Sequence, residues 1–173
     1  MADEGLASAG RAIIDRIAYM TLATVDAEGR PWASPVFFAT ADYRVYYWMS
    51  APGAAHSRNI TERPAVGIVV FDSTVAPGTG QAVYLTATAE QVPGTEIDRA
   101  LAIYPGARDG GSEPLTRADA QAPSPYRLYR AIAGEQSMLC PRDDDGPCTA
   151  HGVAHDHRVP VRLDRDPLQF TTA

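Results

Sequence analysis

The chain has 173 residues, a length that suits one domain built around a single hydrophobic core. Fifteen basic residues stand against 21 acidic ones, and the resulting net charge of −6 argues against nucleic acid as a partner. All of the basic residues are arginines. The absence of lysine excludes a Walker lysine, a pyridoxal phosphate Schiff base and a Ser-Lys dyad. Any bound phosphate must therefore be held by arginine, histidine, hydroxyl groups or backbone amides.

The N-terminal sequence MADEGLASAG is acidic, whereas a secretory signal begins with basic residues and continues into an apolar run. No run of 18 apolar residues occurs, so we expect no membrane span. These features predict a cytoplasmic protein. In that compartment we expect the two cysteines, Cys140 and Cys148, to stay reduced.

The first part of the chain predicts one helix followed by strands. Apolar residues at helical spacing predict an amphipathic helix over 3–18. The hydrophobic period then changes to two, and a glycine turn over 26–29 favours a hairpin. We expect an antiparallel meander with Trp32, Tyr46 and Trp48 exposed. Its predicted strands are 19–25, 31–39 and 43–49.

The rest of the chain alternates short helices, loops and strands. Thr95 and Asp98 resemble a capping box that opens a helix burying Ile97, Leu101 and Tyr104. Further predictions are a helix over 54–61, a strand buried on both faces over 65–71, a loop over 72–80, a strand over 81–92, a loop over 108–125 with one helical turn after Thr116, a strand over 126–139 bulged at Gly134, a polar loop over 141–156 and a strand over 158–163. Six or so strands with short hairpins and few helices indicate a mainly β fold with a closed or nearly closed barrel.

The common catalytic motifs GxSxG, HExxH, CxxC and GxGxxG are missing, and no residue is assigned as a catalytic acid or base. Four segments in order, GRPWASPVFFA, VYYWMS, GAAHSRNITERPAVGIVVF and GQAVYLTATAEQV, nevertheless form a pattern. They resemble the pyridoxamine 5′-phosphate oxidase-like, FMN-binding split-barrel family. The most specific marker is Ser-(x)5-His-x-x-Asn-Ile-(x)3-Pro, which runs from Ser50 to Pro64.

This resemblance implies a six-stranded split β-barrel forming a single domain over 1–173. It also implies an FMN cofactor and a homodimer with the flavin between subunits. The implied function is an FMN-dependent oxidoreductase that acts on an unidentified small organic substrate. The cofactor-binding residues that the resemblance implies are Ser34, Pro35, Val36, Phe37, Phe38, Met49, Ser50, Ala55, His56 and Gln81. Ser57 and Arg58 are added to them because a helix N-terminus favours a phosphate.

The phosphate-binding part of this pattern departs from relatives, which often carry Arg-Lys or a lysine where this chain has Ala55-His56. A phosphate is stabilised by charge-assisted donors and by a helix N-terminus. The short helix after the Pro52-Gly53 break brings His56, Ser57 and Arg58 to such a terminus. We expect them to lie opposite the hydroxyls of Ser34 and Ser50.

Each of these residues also has a purely structural interpretation. Ser34 and Ser50 fit strand-surface hydroxyls, and His56 fits a helix cap or a solvated position. Arg58 fits a solvated helix residue, and Gln81 fits an ordinary first residue of a strand. Asn59 and Ile60 are interpreted as structural, with the isoleucine in the core.

Two other functions remain open. One is a deazaflavin-dependent reductase of the same fold, although its acidic cofactor tail suits a basic groove better than this acidic chain. The other is a non-catalytic flavin- or haem-binding protein. Vitamin B6 oxidation is not expected, because the closing sequence VPVRLDRDPLQFTTA lacks the Trp and Arg-x-Leu-like segment of those oxidases.

The tail contains Cys140, Cys148 and three histidines within 18 positions, and Cys148-x-x-His151-x3-His155 has the spacing of metal ligands. However, seven residues separate Cys140 from Cys148, where zinc motifs have two to four. The intervening Asp143-Asp144-Asp145-Gly146 is typical of a solvated turn. We therefore expect a polar loop and no metal site.

Overall fold

The computed structural model describes residues 2–76, 78–104, 114–140 and 147–164. Its helices are α1 (Ala2–Arg16), α2 (Ala55–Glu62) and α3 (Ile97–Leu101). Its strands are β1 (Tyr19–Val25), β2 (Pro31–Phe37), β3 (Ala39–Thr40), β4 (Val45–Ser50), β5 (Ala65–Phe71), β6 (Ala82–Gln91), β7 (Arg127–Leu139) and β8 (Arg158–Pro160). None of the described helices is long and apolar enough to cross a membrane.

The strands form one antiparallel sheet in the order β2-β1-β5-β6-β7-β4-β3, and β8 pairs with β7. Strands β2 and β3 lie at opposite ends of this order, yet only Phe38 separates them along the chain. The two ends of the sheet must therefore come together. The sheet curls into a barrel that is split between β2 and β4, which confirms the predicted split β-barrel.

The barrel interior is filled by the inward side of each strand. Met20 and Leu22 of β1 and Ile68 and Val70 of β5 are almost completely buried there. Ile14 of α1 closes one side of this core, and Ile60 of α2 packs into it. A second cluster packs α3 against β4, with the predicted residues Ile97, Leu101 and Tyr104 buried in it.

The expected three-stranded meander is wrong. Of the three strands in the predicted meander, only the first two pair as expected, as β1 and β2, whereas β4 pairs with β7 and with the short β3. A local alternation of side chains identifies a strand but not its neighbour, so the closure of the barrel was not encoded in the pattern. For the same reason Tyr46 and Trp48, expected to be exposed, face the barrel interior and have no exposed surface, while Trp32 is 52% exposed.

Strand β5 was expected to be buried on both faces, but its burial alternates. Val66, Ile68 and Val70 point inward, and Phe71 is 45% exposed. The outer face of β5 is therefore apolar and only partly covered by the described residues, with Gly67 and Val69 half-buried.

The expected capping box at Thr95 and Asp98 is also wrong, because Asp98 pairs with Arg117 at 2.6 Å. The capping box is found instead at Thr116 and Asp119, where the predicted helical turn occurs. The β7 bulge at Gly134 is confirmed by a register shift opposite Thr86.

Candidate functional site

The imidazole of His56 bridges the split in the barrel. Its Nδ1 lies 3.0 Å from the Ser34 hydroxyl on β2, and its Nε2 lies 2.7 Å from the Ser50 hydroxyl on β4. Trp32 extends the chain of hydrogen bonds, since its indole N–H donates to Ser34 Oγ at 2.9 Å. Strands β2 and β4 do not pair with each other, so this side-chain network joins them at this point.

The N-terminus of α2 carries His56 and is suited to an anion. The first amides of a helix have no intrahelical acceptor, and the helix dipole places partial positive charge there. The capping position, Ala54, makes no side-chain cap bond, and the first turn contains no acidic residue. Ser57 adds an orphaned group, because its Oγ is buried and has no hydrogen-bond partner in the described structure.

The helix α2 is held rigidly on the barrel by two residues of its buried face. Asn59 Nδ2 donates to Thr24 Oγ1 of β1 at 2.9 Å, and Ile60 packs into the main core. Their interpretation as structural residues agrees with these contacts. Thr24, an inward-facing strand residue, and Trp32 are the partners that the sequence analysis did not identify.

Burial lowers the pKa of His56, so the imidazole is neutral near pH 7. A neutral imidazole offers one N–H and one lone pair, and hydroxyl groups can act in either role. The ring can therefore satisfy both serines in either tautomer. A phosphate bound beside it would act in the opposite direction and raise its pKa.

The side chains of the other predicted residues on and beside β2 point in different directions. Val36 and Phe38 are buried in the core and can meet a ligand only through their backbone. Pro35 is exposed and Phe37 is half-buried against Tyr104. Among the described strands β2 pairs only with β1, so its other edge carries backbone amide and carbonyl groups that none of them covers.

Of the two remaining predicted residues, Met49 lies near the split and Gln81 lies far from it. Met49 is half-buried and precedes Ser50 on β4, so it lies beside the split. Gln81 lies at the far end of the β5–β6 hairpin, next to the Phe71–Ala82 pair, and its amide contacts only the Gly80 carbonyl at 3.4 Å. Within this chain the structure does not bring Gln81 to His56.

An open cleft of about 970 Å³ lies between α2 and the turn that joins β1 to β2. Trp32, Ala55 and Arg58 are among its lining residues. The Arg58 guanidinium donates to the Gly53 carbonyl and thereby stays beside the start of α2. Arg30 in the same wall is neutralised by Asp26 and Glu28.

The tail contains a second group of histidines, with thiols around them. Cys140, Cys148, His151 and His157 each present one sulfur or nitrogen atom, and these atoms all lie within 4.8 Å of one another. His155 contributes only its carbonyl, which contacts His157 Nδ1 at 3.1 Å. The expected solvated turn, residues 143–146, lies outside the described residues, but the residues on either side of it converge.

Together, the curled antiparallel sheet, its split and the helix terminus at that split define a split β-barrel protein with a candidate ligand site between two barrel strands. A family model for pyridoxamine 5′-phosphate oxidase matches residues 6–135. The chain belongs to this family, whose fold binds flavins. No curated protein sequence matches the chain.

Solved structures show the same fold. The heme binding protein from Mycobacterium smegmatis is 21% identical with a TM-score of 0.62, over 89% of this chain and 57% of that one. HutZ, the heme storage protein from Vibrio cholerae, is 25% identical with a TM-score of 0.58, over 72% of this chain and 87% of that one. An F420 reductase is 22% identical with a TM-score of 0.51, over 74% of this chain and 95% of that one.

Proposed function

We propose that this protein is an FMN-dependent oxidoreductase acting on a small organic substrate, with the flavin in the split of the barrel. The observation that carries the proposal is the network Ser34–His56–Ser50, which lies across the split at an uncapped helix N-terminus. A flavin mononucleotide needs donors for its phosphate and a flat slot with amide groups for its ring system. The uncapped start of α2 and the open edge of β2 are the groups that would meet these two needs, and they lie side by side where His56 contacts Ser34.

The chain's own groups would divide the binding between the two ends of the cofactor. The backbone amides that begin α2, including that of Ser57, and the Arg58 guanidinium would hold the phosphate. The open edge of β2, from Pro35 to Phe37, would supply backbone groups to the polar rim of the ring. A bound flavin supplies the hydride and electron transfer, while the protein binds and orients it.

Two features favour FMN over related cofactors. A phosphate held at the start of α2 leaves little space for an adenylate, so FMN should bind more tightly than FAD. The acidic tail of a deazaflavin would need free cations. Arg130 is not available for that role, because it is paired with Glu90 and Glu96 at 2.6 Å each.

The proposal includes a homodimer with the flavin between the subunits. Its support is the apolar surface that one chain leaves uncovered, which includes Trp32, Tyr126 and Ile132 at 43–52% exposure. Gln81, remote from His56 in its own chain, would then reach a flavin only across the interface. Light scattering at micromolar concentration should give about twice the 18.5 kDa chain mass, and a monomer with flavin bound would contradict this.

Titration of the flavin-free protein with FMN and FAD tests the cofactor. Arg58→Gln should weaken FMN binding about tenfold to a hundredfold, the range for losing one hydrogen bond to a charged group. The matched control is Arg63→Gln, since Arg63 lies at the other end of α2 and donates to the Ala27 carbonyl. The control should lose less than about twofold.

Equal losses in the two arginine variants would mean that the phosphate is not at the start of α2. Equal affinity for FMN and FAD, or no binding of either flavin, would refute the proposed cofactor.

Haem binding without turnover is the second candidate, because HutZ and the M. smegmatis protein share this fold and are described as haem proteins. The absorption spectrum of the purified protein separates the candidates. Flavin gives two visible bands, a deazaflavin gives one band in the violet, and haem gives a sharp Soret band. A Soret band together with a failure to bind flavin would replace the oxidoreductase proposal with the haem one.

A further inference from the structure

The four tail residues with convergent side chains come from two places in the fold. Cys140 directly follows β7 and His157 directly precedes β8, and the Cys140 amide donates to the His157 carbonyl at 2.9 Å. Cys148 and His151 share a tight turn, in which the Gly152 amide donates to the Cys148 carbonyl at 2.7 Å. Strand pairing and turn geometry thus position the four side chains independently.

Four of the six separations between these donor atoms are close to the edges of a tetrahedron around one metal ion, and the other two, from His157 Nε2 to the sulfurs, are within 4.8 Å. Zinc–sulfur bonds of about 2.3 Å and zinc–nitrogen bonds of about 2.0–2.1 Å place sulfur atoms about 3.8 Å apart, sulfur and nitrogen about 3.5 Å, and nitrogens about 3.3 Å. The structure has 3.5 Å between Cys140 Sγ and Cys148 Sγ. His151 Nδ1 lies 3.5 and 3.3 Å from these two sulfurs and 3.2 Å from His157 Nε2.

The chemical state of the donors also suits a metal. The two cysteines are not joined to each other by a disulfide, because the 3.5 Å between their sulfurs is far beyond the ~2.05 Å of an S–S bond. His157 Nδ1 faces the His155 carbonyl at 3.1 Å, so the proton belongs on Nδ1 and the Nε2 lone pair points into the cluster. A carbonyl in this position is the usual partner that orients a metal-binding histidine.

We propose that Cys140, Cys148, His151 and His157 bind one structural Zn²⁺. Two thiolates balance the charge of the ion, and two sulfurs with two nitrogens in a tetrahedral arrangement are typical of zinc. The four ligands fill the coordination sphere and leave no position for a substrate or water, which distinguishes a structural site from a catalytic one.

The role of the ion follows from the position of the turn that carries Cys148 and His151, which lies outside the pairing of β7 with β8. The two cysteines form a small apolar cluster with Val159 and Leu6, separate from the main core. Zinc would fasten the turn that carries Cys148 to the end of β7. The site is independent of the proposed flavin site, because Ser50 pairs with Arg127 at the opposite end of β7.

Elemental analysis of the untagged protein, purified without chelator, tests the proposal. The wild type should carry about one zinc per chain, and Cys148→Ser and His151→Ala should carry less than a fifth of that. His155→Ala is the matched control and should retain the wild-type content, because only its main-chain carbonyl takes part. Replacing zinc by Co²⁺ in the wild type should give tetrahedral ligand-field bands and a thiolate-to-cobalt charge-transfer band.

The cobalt spectrum keeps the test decisive even where a cysteine variant fails to fold. Zinc retained equally by all three variants would overturn the assignment of ligands. A wild type without zinc, whether its cysteines are freely reactive thiols or a disulfide, would overturn the site itself.

Discussion

Histidines belong to two side-chain clusters in this molecule, one at the split of the barrel and one in the tail, and the other members of the two clusters differ. His56 sits among hydroxyls and at the amide end of a helix, all of which can donate hydrogen bonds to an anion. His151 and His157 lie beside the thiols of Cys140 and Cys148, and the four donor atoms are within 4.8 Å of one another. Under the two proposals, histidine therefore lies beside an anion at one site and binds a cation at the other. The proposals differ because the neighbouring groups differ.

The clusters also differ in how they are supported. The helix that carries His56 is anchored by the buried bond from Asn59 to Thr24 and by Ile60 in the core. Among the described residues, the apolar side chains that pack with the two cysteines of the tail cluster are Val159 and Leu6. The packing of α2 on the barrel therefore fixes the position of His56. In the tail cluster, we expect the positions of the four side chains to depend on the metal ion that we propose.

Removing the metal should produce the largest effect, because it would release the tail while the barrel remains closed. We expect amide protection in 147–161 to fall by roughly tenfold or more after chelation, since local opening replaces global unfolding there. Protection in β1 and β5 should not change. Hydrogen exchange measured by mass spectrometry on the holoprotein, with and without chelator, gives both values. Equal losses of amide protection in the tail and in the barrel would contradict the idea that the metal stabilises the tail alone.

Removing the hydrogen bond from Asn59 to Thr24, which holds the helix of His56 on the barrel, should have the next largest effect, a loss of stability. Asn59→Ala leaves Thr24 Oγ1 without its buried donor and should destabilise the protein by about 1–3 kcal/mol. Thr61→Ala, an exposed position on the same helix, should change stability by less than about 0.5 kcal/mol. Urea unfolding of both variants measures this. An Asn59 variant as stable as the Thr61 variant would show that α2 is held by other contacts.

Two glycines in α1, Gly10 and Gly5, test how closely this helix packs against Met138 and Leu163. A Cβ at Gly10 would lie 2.8 Å from Met138 Sδ and 2.9 Å from Leu163 Cδ2, whereas nothing lies within 4 Å of one at Gly5. Gly10→Ala should therefore cost about 1 kcal/mol after the gain in helix propensity. Gly5→Ala should stabilise by about 0.5–1 kcal/mol. Thermal melts of the two variants that shift in the same direction would refute this packing.

The sequence predicted local elements well, because each depends on a short pattern. Strands β1 and β5 have the predicted bounds, and the bulge at Gly134 was recognised from one residue. The pairing of β4 with β7 was not predictable in this way. It joins residues about 80 positions apart, and no local pattern specifies such a partner.

The same limit applies to the two clusters. Ser34, Ser50 and His56 were found because a family resemblance supplied their order, and the structure brings them into contact. In the tail, spacing alone suggested His155 and counted against Cys140, yet the converging side chain is that of His157. The pairing of β7 with β8 places Cys140 opposite His157, and that pairing cannot be read from ligand spacing.

The smallest expected effect is the pH dependence caused by His56. Burial lowers its pKa in the folded protein below the unfolded value of about 6.5, so the folded state binds its proton less readily. Above that value the imidazole is neutral in both states and has no effect. As the pH falls from 7 to 5, the unfolded state takes up the proton first, and stability is lost.

His56→Gln should therefore lose less stability than the wild type between pH 7 and pH 5, because the variant has no proton to take up at this position. Other titrating groups contribute equally to both proteins and cancel in the comparison. His155→Gln, at an exposed position, should follow the wild type. Urea unfolding of the flavin-free proteins at the two pH values measures the difference. Parallel losses in the wild type and His56→Gln would mean that folding does not change the pKa of His56. The lowering of the pKa that burial predicts for the network Ser34–His56–Ser50 would then be absent.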